Sequence, residues 1–179
     1  MTSFTDSSIA VVRPEEAERI LPDLIALLRD TVDSGASVGF IPPLGEDEAH
    51  QYWQGVFSNV EQSTHILLVA REDGRVVGSV QLELATKANA LHRAEVQKLF
   101  VLQSQRRRGT GRALMQAIEQ VAREHKRTLL VLDTREGDVA EKLYRKIGYQ
   151  EVGVIPAYAL NANGELDGTI IFYKALPLA

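Results

Sequence analysis

Residues 95–116 read EVQKLFVLQSQRRRGTGRALMQ and join a strand, an arginine- and glycine-rich turn and a helix start. The first part, 96–102, is rich in β-branched and apolar residues and is too short to form a helix. From residue 112 to residue 124, apolar side chains recur at helical spacing and form one stripe. The stretch therefore predicts a strand, a turn and a helix in direct succession.

The turn at 106–111 has the sequence RRRGTG. Its glycines let the backbone approach a bulky group closely, and its guanidinium groups favour an anion. The free amides of the helix's first turn point to the same place, where the helix dipole also favours negative charge. We therefore expect the turn to bind a pyrophosphate.

Two nucleotide-binding motifs are excluded here. A P-loop needs a Lys and a Ser or Thr after its last glycine, whereas Arg112 and Ala113 follow Gly111. A Rossmann fingerprint needs a third glycine where Leu114 stands. A solvated basic turn flanked by glycines remains the structural alternative.

The form Arg-x-x-Gly-x-Gly after a strand resembles the acetyl-CoA-binding motif of the GNAT superfamily of N-acetyltransferases. A second segment, VAEKLYRKIGY at 139–149, is an amphipathic pattern stopped by Gly148. It is similar to the superfamily's other signature, Ala-x-x-x-Tyr on a helix followed by Gly-Phe or Gly-Tyr. The resemblance implies acetyl-CoA as cosubstrate, with its pyrophosphate on the loop amides.

This resemblance places the CoA-binding residues on the strand, in the loop and at two helix starts: Leu99, Phe100, Val101, Arg106, Arg107, Arg108, Gly109, Thr110, Gly111, Arg112, Ala113, Asp138 and Ala140. The chain departs from the family pattern at two positions. Gly137 stands where the family often has an Asn that contacts the pantetheine arm, and Asp138 or backbone is expected to replace it. Gln103 replaces a common Pro, and neither change touches the phosphate cradle.

The remaining pattern predicts the order β-α-α-β-β-β-α-β-α-β-β. The expected strands and helices before the loop are a strand at 9–13, a helix from Pro14 to about Val32, a helix at 46–60, and a hairpin of 65–70 with 76–84. A strand at 129–132 ends at Asp133, and the final strands lie at 151–155 and 169–176. The order is that of the superfamily. It implies an α+β fold with three α/β/α layers, in which a mixed, largely antiparallel sheet of about seven strands splays into a V.

Composition limits the function classes. With 179 residues and 45% hydrophobic content, the chain suits a single domain over 1–179. No apolar run approaches the roughly 20 residues that span a bilayer, and MTSFTDSSIAVV lacks a secretory pattern, so we expect a cytoplasmic protein that binds no membrane. The absence of cysteine excludes disulfides and a cysteine nucleophile. The net charge of −4 argues against nucleic-acid binding, and the four histidines lack metal-ligand spacing.

Amine acetylation needs a base for the ammonium, a donor for the oxyanion and an acid for the thiolate. Glu95 is the first candidate base, because several superfamily members carry their catalytic Glu at this place. Strand alternation predicts that Glu95, Gln97 and Leu99 share one face, unless a bulge shifts the register. The structural alternative is an edge-of-sheet carboxylate paired with Arg93 or Lys98.

Asp133 and Tyr144 complete the predicted catalytic set. The resemblance places Asp133 on the strand that splays from that of Glu95, where it would act as base or bind a cationic substrate. The alternative is an Asp that caps a helix or forms a turn. Tyr144 is the candidate acid for the thiolate, and its alternative role is packing on the sheet with its hydroxyl at the surface. The amide of Leu99 or a neighbour is expected to polarise the thioester carbonyl.

Four strings, GASVGF, HRAEVQKL, VLDT and GELDGTIIFYK, resemble the tabtoxin-resistance type of acetyltransferase. Those proteins acetylate the α-amino group of a β-lactam-containing amino acid, and their acid and base groups map onto Glu95 and Asp133. The resemblance implies a small, amino-acid-like amine as acceptor. Acetylation of protein N-termini or lysines, and a non-catalytic acyl-CoA-binding module, are the alternatives.

Three further regions are candidates for a role. The segment 35–40 is either a substrate loop or a plain connector, and Tyr158 is a candidate for the pocket border. The C-terminal strands are candidates for a homodimer interface.

Overall fold

The computed structural model describes residues 7–177. Its strands and helices are β1 (Ser7–Val11), α1 (Ala17–Asp33), α2 (Glu46–Glu61), β2 (His65–Glu72), β3 (Arg75–Leu84), β4 (Arg93–Val101), α3 (Thr110–Glu124), β5 (Leu129–Arg135), α4 (Val139–Lys146), β6 (Gln150–Leu160) and β7 (Leu166–Ala175). The predicted order of elements is confirmed. The prediction of one domain over 1–179, like the interpretation of the first residues, extends beyond the described part of the chain.

One seven-stranded sheet has the order β1-β2-β3-β4-β5-β7-β6. Neighbouring strands are antiparallel except β4 and β5, which run parallel. That parallel pairing covers only Arg93, Ala94 and Glu95 on β4. Beyond Glu95 the two strands separate, while β4 stays paired to β3 and β5 to β7. The predicted mixed, splayed α+β sheet is therefore confirmed.

Helices cover both faces of the sheet. On one face, α1 and α2 enclose a core around the fully buried Trp53, whose indole Nε1 donates a 2.9 Å hydrogen bond to the Leu24 carbonyl. On the other face, α3 buries Leu114, Met115 and Ile118 against the middle strands. Because the sheet is covered on both sides, the gap between β4 and β5 forms a passage between the two helical layers. Among residues 7–177, the helices include none with the length and apolar character to cross a membrane.

Several predicted boundaries differ from the structure, and two of the differences have a local explanation. The first helix does not start as an α-helix at Pro14, because residues Pro14–Glu16 form a 3₁₀ turn and α1 begins at Ala17. The sixth strand does not end at Ile155 but continues to Leu160. An irregularity between Ile155 and Ala159 absorbs Pro156, which has no amide hydrogen for the ladder. Pairing with β7 resumes beyond it, so the local breaker does not end the strand.

Candidate active site

A cleft of about 930 Å³ follows the gap between β4 and β5. One end lies at residues 105–112, which form the turn before α3 and its first residues, and we call it the glycine-loop end. The other end lies between the α1–α2 connection and β7 and contains Glu95 and Asp133. We call this second region the carboxylate end. The fold thus brings the two predicted groups of functional residues into one cavity.

The glycine-loop end presents backbone amides. Arg107 and Gly109 have positive φ angles of 63° and 91°, and Gly109 is the N-cap of α3. Within the described chain, the amides of residues 107–112 donate to no protein acceptor, since the first helical bond runs from the Ala113 amide to the Gly109 carbonyl. Six consecutive free amides at a helix N-terminus favour an anion. Four of these six residues, Arg107, Gly109, Gly111 and Arg112, line the cleft.

The arginines of this turn have different positions. Arg106 donates to the Val101 carbonyl at 3.1 Å and to the Ser34 hydroxyl at 2.9 Å. Arg107 and Arg112 line the cleft. Arg108 turns away, donates to Gln105 at 3.0 Å and lies 4.0 Å from a Glu72 oxygen. The guanidinium groups of Arg107 and Arg112 are therefore the ones best placed to meet an anion on the amides.

Most of the predicted site residues line this cleft: Glu95, Leu99, Val101, Arg106, Arg107, Gly109, Gly111, Arg112, Asp133, Asp138, Ala140 and Tyr144. Four do not, namely Phe100, Arg108, Thr110 and Ala113. Phe100 is buried in the core beneath α1 and α2. Thr110 directs its methyl group toward Gly78 rather than into the cleft. Tyr158, a predicted border residue, does line it.

A β-bulge in β4 changes which side chains face the carboxylate end. Gln97 pairs with Gln81 and Phe100 with Ser79, so Lys98 and Leu99 together oppose one residue of β3. Lys98 has a φ of 53°. The bulge anticipated as an exception is therefore present, and Leu99 packs with the α3 core instead of sharing a face with Glu95.

The Glu95 side chain lies beside a second carboxylate, that of Glu83. It lies directly opposite Glu83, and the Gln97 amide donates to Glu83 at 2.6 Å and to Glu95 at 3.1 Å. Partial burial raises the pKa of the Glu95 carboxyl, and the negative charges of Glu83 and Asp133 raise this pKa further. A raised pKa strengthens a carboxylate as a base. Since β4 lies inside the sheet, the alternative of an edge carboxylate is wrong.

Asp133 lies on the same face of the sheet as Glu95. Glu95 is in register with Val131, and Asp133 follows Val131 by two residues on β5. The Thr169 hydroxyl donates a 2.8 Å hydrogen bond to the Asp133 carboxylate. The alternative of a helix-capping Asp133 is wrong, because Asp138 caps α4 by accepting from the Ala140 amide at 2.9 Å.

Tyr144 reaches the cleft from α4. Its ring lies 6.0 Å from that of Phe172 and 5.9 Å from that of Tyr149, and the residue is buried. Burial raises the pKa of its phenol, and the charges of Asp138 and Asp133 act in the same direction. The phenol therefore stays protonated at neutral pH, and the same shift makes it a weaker acid than an exposed tyrosine.

Sequence reasoning missed several cleft residues. Arg135 follows Asp133 by two positions, so strand alternation could have placed it on the same face. Thr169 and Asp167 come from β7, and only strand pairing brings them there. Lys98 could not be predicted as a cleft residue, because the bulge turns its side chain to the opposite face of the sheet. The segment 35–40, predicted as either a substrate loop or a plain connector, was not missed, and it lines the cleft with Ala36, Ser37, Val38 and Gly39.

The groups that line this cleft define what it can bind. Among the described residues, no group of three or more His, Asp or Glu side chains could hold a metal ion. Its functional groups are free amides, arginines, two carboxylates and a phenol. This set can bind a phosphate-bearing ligand at one end and exchange protons with an amine at the other.

Comparisons with known proteins agree with this arrangement. The model of the acetyltransferase (GNAT) family matches residues 31–149. An N-acetyltransferase of Azospirillum brasilense encoded in the hisH-hisA intergenic region is 35% identical over 118 residues, which are 65% of this chain and 68% of that protein.

Solved structures share the fold. An N-acetyltransferase from Staphylococcus aureus Mu50 has a TM-score of 0.80 at 18% identity, covering 96% of this chain and 99% of its own. The Salmonella typhimurium protein yncA, solved with its cofactor acetyl-CoA, has a TM-score of 0.75 at 15% identity, covering 97% and 95%. The chain described here belongs to the acetyltransferase (GNAT) family and is an N-acetyltransferase.

Proposed function

We propose that this enzyme transfers the acetyl group of acetyl-CoA to the amine of a small, amino-acid-like molecule. One observation carries the proposal: a single cleft joins a helix N-terminus with free amides to two carboxylates on one face of the sheet. The first group suits the pyrophosphate of the donor. The second suits an ammonium group that must be bound and deprotonated.

The donor would lie along the cleft from the glycine-loop end. The amides of residues 107–112, with Arg107 and Arg112, would hold its pyrophosphate. Beyond Glu95, β4 has no strand partner on the β5 side, so its backbone can accept a pantetheine arm. The amide of Leu99 would then polarise the thioester carbonyl.

Proton transfer would start at Glu95. Its carboxylate would take a proton from the acceptor ammonium, and the neutral nitrogen would attack the thioester carbonyl carbon. As the carbon–sulfur bond breaks, the Tyr144 hydroxyl would donate its proton to the departing thiolate, and the second proton that the nitrogen loses as the amide forms would restore the phenol. Products are the N-acetyl compound and free CoA, with a direct transfer that needs no covalent enzyme intermediate.

Asp133 would orient the ammonium beside Glu95. Its carboxylate accepts from Thr169, which fixes it on the face that Glu95 shares. Either carboxylate could serve as the base, but the pKa of Glu95 is raised by its surroundings, which favours this residue. We therefore place deprotonation at Glu95 and electrostatic binding at Asp133.

A detoxifying role on a β-lactam-containing amino acid, as in the tabtoxin-resistance type, is the narrower form of this proposal. A cytoplasmic location and a homodimer belong to it as well. The dimer is supported by large apolar side chains exposed on β6 and at the start of β7: Val152, Val154, Ile155, Tyr158, Leu160 and Leu166. Light scattering on the purified protein measures the oligomeric state.

A thiol-release assay with acetyl-CoA tests the function. The acceptor panel contains amino acids, β-lactam amino acids, polyamines and peptides, and mass spectrometry identifies the acetylated product. We expect release with small amino-acid-like amines and none without an acceptor. Preference for peptides would support a protein acetyltransferase instead, and donor binding without release for any amine would indicate a non-catalytic module.

A further inference from the structure

The β4 bulge places a lysine at the carboxylate end. In a regular strand Lys98 would share the face of Val96, which packs in the core beneath α3. The bulge, with a φ of 53° at Lys98, sends its ammonium instead to the α1–α2 connection. There it donates a 2.8 Å hydrogen bond to the Val38 carbonyl and lies near Gly39. A strained backbone is thus used to bring a cation to the face of Glu95 and Asp133.

Lys98 differs from the other cation at this end. The Arg135 guanidinium donates to the Gly35 carbonyl at 3.0 Å and lies 3.6 Å from Asp138 and 3.8 Å from Asp167. Its charge is therefore balanced by two carboxylates. Among the described residues, Lys98 has no ion pair within 4.0 Å, and its hydrogen bond goes to a neutral backbone oxygen.

Burial lowers the pKa of the Lys98 ammonium, while the charges of Asp133 and Glu95 raise it. The ammonium thus sits in a partly desolvated place without a direct counter-ion. An anionic ligand group at Val38 would relieve this desolvation and replace a neutral acceptor by a charged one. In an α-amino acid, one carbon atom separates the ammonium from the carboxylate. With the carboxylate at Lys98, the ammonium would extend toward Glu95 and Asp133.

We propose that Lys98 binds the carboxylate of the acceptor and so selects free amino acids over amines that lack this group. The inference rests on the proposed function and deepens it. Glu95 and Asp133 receive the ammonium of the zwitterion, and Lys98 receives its carboxylate by exchanging the Val38 carbonyl for it. Lys98 is accordingly a specificity-determining residue and takes no part in proton transfer.

The experiment compares matched acceptors. The best amino acid of the panel is assayed beside its own carboxamide, which keeps the amine and side chain but lacks the negative charge. For the unaltered enzyme we expect kcat/KM to favour the acid by about 10-fold or more, as charge-assisted hydrogen bonds do. In Lys98→Met we expect KM for the acid to rise by about the same factor, with kcat and the carboxamide kinetics little changed.

Two controls separate recognition from structure. Lys87→Met removes an exposed lysine outside the cleft and should change neither acceptor. Lys98→Arg should restore part of the preference for the acid.

If Lys98→Met weakened the use of both acceptors equally, the lysine would only hold the α1–α2 connection in place, and the inference would be wrong. An unaltered enzyme that used the carboxamide as well as the acid would overturn it too, while the proposed function would stand. Absence of acetylation for every amine would overturn both.

Discussion

The two ends of the cleft are built in different ways. The glycine-loop end comes from one continuous stretch, 105–112, and acts mainly through backbone amides and a helix terminus. The carboxylate end is assembled from side chains on β4, β5 and β7 and from the α1–α2 connection. The geometry of the first depends little on which side chains the loop carries, because it is made of backbone. The second depends on each side chain separately, and under the proposed function it would set the acceptor.

The largest expected effect separates chemistry from donor binding. Glu95→Gln should lower kcat by about 10²- to 10⁴-fold, the range for loss of a general base, and leave the Kd for acetyl-CoA unchanged. Thiol release at saturating donor and calorimetric titration of acetyl-CoA measure the two quantities. The exposed Glu61→Gln serves as control. Full turnover of Glu95→Gln at every pH would show that Glu95 is not the base.

The same variant carries a stability signature. The pKa of Glu95 is raised in the folded protein, so the protonated side chain stabilises the fold at low pH. This stabilisation is lost as the pH rises through that pKa. At neutral pH the ionised side chain is thus unfavourable. We expect the Tm of Glu95→Gln at pH 7 to be equal to or above that of the unaltered enzyme.

A smaller effect is expected between the two ends, at the phenol. Tyr144→Phe keeps the packing on Phe172 and Tyr149 but removes the proton donor, and should lower kcat by about 10-fold, below the usual range for acid catalysis because thiolates leave readily. Tyr149→Phe is the matched control, since its buried hydroxyl has no protein partner within residues 7–177. That control should keep full activity. Equal kcat values for both variants would show that Tyr144 does not protonate the thiolate.

At the glycine-loop end, neighbouring arginines should behave differently. Arg107→Met should raise the Kd for acetyl-CoA by about 5-fold, a modest loss because the side chain is exposed to solvent. Arg108→Met should leave the Kd unchanged, because Arg108 points to Gln105 and Glu72. Titration at two salt concentrations checks the electrostatic origin. Equal losses for both variants would contradict the placement of these side chains.

The smallest effect is a shift of the pH profile. Glu83 faces Glu95 from β3, and Asp133 lies on the other side of β4, on β5. Both negative charges raise the pKa of Glu95, whereas the hydrogen bond from Gln97 and the charge of Arg93 lower it. Protonated Glu95 cannot act as base, so kcat/KM should fall as pH drops through its pKa. Glu83→Gln removes one negative charge, lowers the pKa of Glu95 and should move this acidic limb to lower pH. An unchanged or raised limb would contradict the pairing.

The comparison of the two ends also explains what sequence could predict. The turn at 106–111 was recognisable because strand, glycines and helix start are adjacent in the chain and need no tertiary information. Leu99 was expected beside Glu95 because alternation assumes a regular strand. The bulge depends on β3, which offers one residue opposite Lys98 and Leu99. Arg135 and Thr169 meet only through the pairing of β5 with β7.

The early separation of β4 from β5 has a further consequence. An open strand edge normally invites pairing with strands of other molecules, and proteins protect such edges. Here the two open edges face each other in the middle of one sheet and are covered by helices on both sides. Under the proposed function, their backbone groups would bind the narrow pantetheine arm of the donor, while the helices would keep another polypeptide strand away. The gap would then combine the binding capacity of an edge strand with protection from pairing between molecules.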